Sequence, residues 1–327
     1  MPPILVVGAT GQLGTAAIDR LVGMGHFVRA LVRPGSPREF PANGVELAFG
    51  DLRDRDSLAA ACRGVATVLA TANVVVPRSA RGFAEVEGVG YAHLFDACKA
   101  EGVRRVVLMS TDVTPHDDRV TTFRTKRGIE DRLLASGLAH SIFRGSLFMD
   151  DWFALMGSSI PLRGAKAATL RRPFWFARGF LAMAGTSIEQ RGIALVPGDG
   201  STRHAFVALD DVASILAAAA AAPEDGTNLV TNLGGPEILS WNDVVGIYER
   251  VLGRTLRKLH TPASAYRLLA NVLEPFSPPA ANLMAMSWLT TICETAWDGK
   301  PLAERFGVRL MTAEEFLRAK SALAVET

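Results

Sequence analysis

The stretch ILVVGATGQLG, from Ile4 to Gly14, limits this chain more than any other, because a short apolar run leads straight into glycines at 8, 11 and 14. Glycine adopts positive φ readily and lets another group approach the main chain, so glycines in this pattern imply a ligand pressed against a turn. The apolar run reads as a strand, and Leu13 to Met24 as the helix that follows it. In that setting Gly8 makes the turn, Gly11 admits a phosphate and Gly14 lets the helix pack closely. The helix amino end offers unpaired N–H groups and a favourable dipole to a diphosphate. Thr10, Gln12 and Leu13 lie in the same turn and complete a candidate dinucleotide cradle.

The surrounding chain alternates strands and helices. Ile4 to Val7, Phe27 to Val32, Val45 to Phe49, Val65 to Ala70, Val103 to Met109 and His140 to Phe143 are short apolar or β-branched runs bounded by turn residues. Asp56 to Arg63 and Tyr91 to Ala100 read as helices between them. This order predicts an α/β fold, a Rossmann-type doubly wound parallel sheet with a smaller, mostly helical C-terminal domain. The expected division is a nucleotide-binding domain over 1–152, its sheet completed within 193–235, an inserted segment over 153–192, and a substrate domain over 236–327.

The end of the second strand selects the nucleotide. A carboxylate there would hold a ribose 2′-hydroxyl, whereas a basic side chain accommodates a 2′-phosphate. The sequence is VRALVRPGSPRE, with Arg33 at the strand end and Arg38 nearby. A guanidinium forms forked, charge-assisted bonds to phosphate, so NADP(H) is expected over NAD(H). The plainer reading of Arg33 is a solvated strand end.

Composition removes other classes. With Lys and Arg totalling 35 against 33 Asp and Glu, no overall field argues for nucleic acid or an anionic membrane. Cys62, Cys98 and Cys293 are an odd set without metal-ligand spacing, which fits reduced thiols in a cytoplasmic protein and indicates no metal. The amino end enters a strand at once, without a basic leader before an apolar core, and no apolar run of about 18 residues suggests a membrane span.

GATGQLG, VRALVRP, GDLRD after the third strand and SGLAHSIFRGSLFMDDW together resemble the atypical short-chain dehydrogenase/reductases, specifically the NmrA-like branch. The likeness covers roughly 4–152 and resumes at GDGSTRHAFVALDDVA and LGGPEILSWNDVVGIYERVLGR. It implies that Asp51 and Leu52 flank an adenine, that Thr71, Ala72 and Asn73 line the nucleotide, and that Gly145, Ser146 and Phe148 sit near a nicotinamide. Taken singly, Asp51 could instead cap a turn and Phe148 could be core.

Catalysis in the wider family rests on Tyr-x-x-x-Lys, in which the cation lowers the phenol pKa. In TTFRTKRGIED the lysine position is Lys126, but the tyrosine position is Thr122. Tyr91, Tyr248 and Tyr266 are followed four residues later by Phe95, Leu252 and Ala270, so no shift restores the pair. Lys126 shares a helical stripe with Ile129, Glu130 and Leu133, which points its charge inward; the bland alternative is an i,i+4 pair with Glu130. The resemblance implies that Lys126 bonds the nicotinamide ribose and relays a proton, and that Thr111, at the family's Ser/Thr position, or Ser110 beside it holds a substrate oxygen. His116 is a spare loop histidine.

Residues 160–192 mix Arg163, Lys166, Arg171, Arg172, Arg178 and Arg191 with Phe174, Trp175, Phe176 and Phe180, and Glu189 is the only acid. The segment suits either an amphipathic lid with peripheral membrane contact or a helical cover with a solvated basic side. Farther on, Asp210, Ser240 and the Thr312/Glu315 pair read as helix caps. Two functions follow. One is an NADPH-dependent reductase of a small, apolar carbonyl, enone or quinone; the other is a non-catalytic NADP(H)-binding sensor, regulatory or assembly protein.

Overall fold

The computed structural model describes residues 2–36, 40, 43–73, 87–165, 167–171, 174–222 and 228–323. In chain order the first elements are β1 (Ile4–Val7), α1 (Gln12–Gly23), β2 (Val28–Val32), β3 (Val45–Phe49), α2 (Arg55–Cys62), β4 (Thr67–Ala70), α3 (Gly90–Ala100), β5 (Arg105–Thr111), α4 (Thr121–Ala135) and β6 (Ala139–Gly145). They are followed by α5 (Met149–Leu155), α6 (Trp175–Ala184), β7 (Ile193–Pro197), β8 (Arg203–His204), α7 (Leu209–Ala221) and β9 (Leu229–Leu233). The last are β10 (Leu239–Ser240), α8 (Trp241–Leu252), β11 (Arg257–Thr261), α9 (Ala263–Leu273), α10 (Pro278–Ile292), α11 (Lys300–Arg305) and α12 (Ala313–Ser321).

Seven strands form the main sheet in the order β3-β2-β1-β4-β5-β6-β9. The pairings from β3 through β6 are all parallel. The wholly apolar β1 is buried along its length, as a strand covered on both faces must be. From β1 the chain runs outward to β2 and β3, then crosses back to β4 on the other side, so the strand order reverses between β1 and β4. The carboxyl ends of strands at such a reversal are where doubly wound sheets hold ligands.

The chain divides into two compact units: 1–113, 121–145 and 212–232 form one, and 114–120, 146–211 and 233–327 the other. The boundary between the units falls after Gly145, and 153–192 lies within the second unit. The reason is packing: Phe153, Met156, Ile160 and Ile188 share one buried core with Phe206, Trp241, Tyr248 and Phe316. Among the described residues of 193–235, only β9 joins the main sheet. β7 pairs in parallel with β11, and β8 pairs antiparallel with β10.

Within the first unit a buried cation closes a helix end. Arg105 opens β5 and donates to the carbonyls of Ala219, Ala220 and Ala222 at the end of α7, where the helix dipole is negative. Cys62 and Cys98 are buried thiols in the same core, and Cys293 lies half-buried in the second unit.

In the second unit Ser240 and Asp243 form the capping box of α8, and Gly253 ends that helix at φ 66°. Thr312 and Glu315 cap α12 in the same way. Asp210 is not what meets the first N–H of α7: the Leu209 amide donates to buried Asp150 at 2.9 Å. Across 160–192, Glu189 accepts from the Ser159 amide at 2.7 Å and the Ser158 hydroxyl at 2.9 Å, and so ties the ends of the segment together. Trp175, Arg178 and Met183 of α6 face solvent, while Lys166 and Arg172 lie outside the described residues. No described helix is long and apolar enough to cross a membrane.

Candidate active site

The glycine turn closes against the end of β4. Gly8 has φ +93°, and a Cβ there would lie 2.6 Å from the Ala72 nitrogen. A Cβ on Gly14 would lie 2.2 Å from the Gly8 carbonyl oxygen, whereas one on Gly11 would meet only that oxygen, at 3.1 Å. Thus Gly8 and Gly14 are required by the fold itself, and Gly11 keeps one side of the turn open. The turn is locked by the Gly11 amide donating to Gly8 at 2.9 Å and the Thr71 amide donating to Val7 at 2.8 Å. Helix α1 starts at Gln12 without a side-chain cap or an acidic residue in its first turn, which suits an anion. Thr10 and half-buried Gln12 flank the opening, while Leu13 is buried beneath it.

The ends of the next two strands carry an arginine and a paired carboxylate. Arg33 is exposed just beyond β2. Asp51 follows β3 and is gripped by Arg53 through two bonds of 2.9 Å. That bond holds the Asp51 carboxyl below its usual range, and the Arg33 charge adds to the effect. Asp51 also accepts the Arg53 amide at 2.9 Å and so caps the turn after β3, while Asp54 caps α2, accepting from the Asp56 and Ser57 amides. Leu52 is buried beside Asp51, and Arg38 falls outside the described residues.

Lys126 is 2% exposed. Its Nζ donates to the Ala72 carbonyl at 3.3 Å, stands 3.9 Å from Glu87 Oε1 and lies 5.5 Å from the Tyr91 ring centre. The Tyr91 hydroxyl donates to the same carbonyl at 2.7 Å. Burial lowers the Lys126 pKa, while the Glu87 carboxylate opposes the shift, and burial raises that of Tyr91. Glu130 does not serve as the close partner of Lys126. Its carboxylate instead meets Arg144 at 2.6 Å, Arg127 at 2.7 Å and the Ser110 hydroxyl.

The same network fixes the two hydroxyls that end β5. Ser110 gives its proton to Glu130 and is therefore an acceptor toward other groups. Thr111 accepts from Arg127 at 3.0 Å and keeps its own proton to donate. Gly145 pairs with Thr111 at the end of the β5–β6 ladder. In the second unit, buried Ser146 bonds Thr295, half-buried Phe148 bridges Val207, and His116 packs 5.5 Å from Trp288. Asn73 is exposed after β4.

Sequence reasoning missed Glu87 and Tyr91 as neighbours of Lys126. They stand four residues apart, a helical spacing that could have marked a shared face. No group of three or more metal-ligating side chains occurs among the described residues.

A doubly wound sheet with a glycine cradle at its reversal defines a dinucleotide-binding class of fold. Comparison narrows the class: the NmrA-like family model matches residues 2–316, and the chain belongs to that family. It is 25% identical over 304 residues to phenylcoumaran benzylic ether reductase Betv6 of Betula pendula, covering 86% of this chain and 83% of that protein. It is also 32% identical over 142 residues to photosystem II assembly factor Ycf39 of Cyanophora paradoxa, 43% of this chain and 44% of the relative. An NADPH-dependent quinone oxidoreductase from Escherichia coli, solved with NADPH, shares the fold at TM-score 0.69 and 18% identity, over 97% of this chain and 99% of that one.

Proposed function

We propose that this protein is an NADPH-dependent reductase of small apolar molecules that carry a carbonyl, enone, quinone or related electrophilic group. One observation carries the reading: the buried Lys126 amine is bonded to Ala72, the residue against which the Gly8 turn closes. The cradle and the buried base thus meet at one strand end. Gly8, Thr10, Gly11, Gln12, Leu13 and Gly14 would hold the diphosphate, Arg33 the 2′-phosphate, Asp51 and Leu52 the adenine, and Thr71, Ala72 and Asn73 the nucleotide's inner edge. Gly145, Ser146 and Phe148 would border the nicotinamide.

The nucleotide supplies a hydride when bound. The chain's task is orientation and proton supply. Lys126, its ammonium weakened by burial, would bond the nicotinamide ribose and pass a proton toward the reduced oxygen. Thr111 has a hydroxyl proton to offer a substrate oxygen, while Ser110 holds the network that positions it. The relatives named as benzylic ether reductase and quinone oxidoreductase support an apolar substrate. An odd set of three cysteines without metal-ligand spacing supports a reducing, cytoplasmic setting. On α6, exposed Trp175 and Met183 beside Arg178 support a peripheral contact with an apolar surface.

The second reading, a non-catalytic NADP(H)-binding regulatory or assembly protein, is favoured by Thr122 in the tyrosine position and by the partial likeness to an assembly factor. Following NADPH oxidation against a panel of quinones, enones and carbonyls separates the two. Turnover that disappears in Lys126→Met supports the reductase; tight NADPH binding without turnover across the panel supports the regulator.

A further inference from the structure

A second buried polar chain runs through residues that neither the glycine cradle nor Lys126 employs. The hydroxyls of Ser146 and Thr295 stand 3.0 Å apart. Thr295 Oγ1 lies 2.9 Å from Nδ1 of His204, and Nε2 of His204 lies 3.1 Å from the Thr290 carbonyl oxygen. All three side chains are buried. Phe206 and Trp241 wall the imidazole, each with its ring centre 5.5 Å away. The Thr295 backbone is pinned on both sides, donating to Arg203 at 3.1 Å and accepting from Ala205 at 2.7 Å.

The partners fix the direction of every bond. A carbonyl only accepts, so Nε2 of His204 carries the ring proton. Burial among aromatic rings keeps the imidazole neutral, its pKa pushed down to about 4. A neutral imidazole has one N–H, so Nδ1 is bare and accepts the Thr295 hydroxyl proton. Having given its only proton to Nδ1, Thr295 can only accept from Ser146. Ser146 therefore donates inward and offers lone pairs alone to any further partner.

We propose that His204, acting through Thr295, fixes Ser146 as a hydrogen-bond acceptor for the amide N–H of a nicotinamide carboxamide. The inference rests on the reading of this chain as an NADP(H) binder with Ser146 beside the nicotinamide. An unbiased serine can turn a proton or a lone pair outward and so accepts an amide N–H or donates to a carbonyl. Held by His204 and Thr295, it discriminates between them, because a carbonyl facing bare lone pairs is left without a partner. His204 and Thr295 are positioning residues: they set what Ser146 presents.

The test compares the affinity of the whole protein for NADP+ and for its 3-acetylpyridine analogue, in which a methyl replaces the amide nitrogen. The wild type should bind NADP+ about tenfold more tightly, the worth of one ordinary hydrogen bond. Thr295→Val keeps the side-chain shape but removes both bonds, and should bring the ratio close to one. Thr295→Ser restores the hydroxyl and should restore the ratio. Equal affinity of all variants for 2′-phospho-ADP-ribose, which lacks the nicotinamide, separates a lost bond from a lost fold. Should Thr295→Val fail that control, His204→Asn keeps an acceptor where Nδ1 stands and should preserve the ratio, whereas His204→Leu should abolish it.

An unchanged ratio in Thr295→Val or His204→Leu that still binds 2′-phospho-ADP-ribose overturns the inference and leaves the cofactor reading standing. Wild-type protein that binds neither NADP+ nor 2′-phospho-ADP-ribose overturns both.

Discussion

Single atoms decide the most at the glycine turn. Gly14→Ala would drive a Cβ to 2.2 Å from the Gly8 oxygen, a backbone atom that cannot swing aside. We expect it to destabilise the protein by about 1–3 kcal/mol and to abolish nucleotide binding. Gly11→Ala, whose Cβ meets only one atom at 3.1 Å, should leave stability within about 1 kcal/mol while lowering nucleotide affinity. Thermal melts and binding titrations of the pair check this contrast. Lys126→Met should lower turnover about 100-fold, the lower end of what a positioned proton carrier supplies, in single-turnover assays at saturating NADPH. The inward stripe of Lys126 was legible in its helix spacing. Its neighbour Glu87 was not, because that pairing joins residues far apart in sequence and depends on how α3 packs.

Elements were legible where local chemistry alone specifies them. β1, α1 and β3 lie where apolar runs and turn glycines put them, and the Ser240 and Thr312 caps are built from residues three apart. Ser240→Ala should therefore cost about 0.5–2 kcal/mol in urea denaturation without altering nucleotide affinity. Where a helix start depends on a distant side chain, the sequence misleads. Asp210 looked like a cap for α7, but Asp150 takes the Leu209 amide. Asp51, by contrast, does cap the turn after β3, accepting the Arg53 amide at 2.9 Å, and Asp54 caps α2. The far ends of β5 and β6 also exceed the apolar runs, because the pairing of Thr111 with Gly145 extends the ladder past them.

For the molecule as a whole, the parallel sheet was readable from its alternating elements. The second unit gathers three separate chain segments, and no linker composition marks the break after Gly145. Its core also hides a titrating group. His204 in the folded protein has its pKa lowered from 6.5 to about 4 by burial, so the unfolded chain takes up a proton that the native ring refuses. Stability should be full above pH 6.5 and fall as pH drops from there toward 4, with a slope approaching about 1.4 kcal/mol per pH unit from this residue. Urea denaturation across that range should show the slope in the wild type and its loss in His204→Leu.

The most direct measurement is an equilibrium titration of nucleotide-stripped protein with NADPH and with NADH, repeated on Arg33→Ala. The account predicts tighter binding of NADPH, and a loss of about tenfold in NADPH affinity but not in NADH affinity when the Arg33 guanidinium is removed. Absence of binding by either nucleotide would contradict the assignment of the Gly8 to Gly14 turn as a dinucleotide cradle, and with it the proposed reductase.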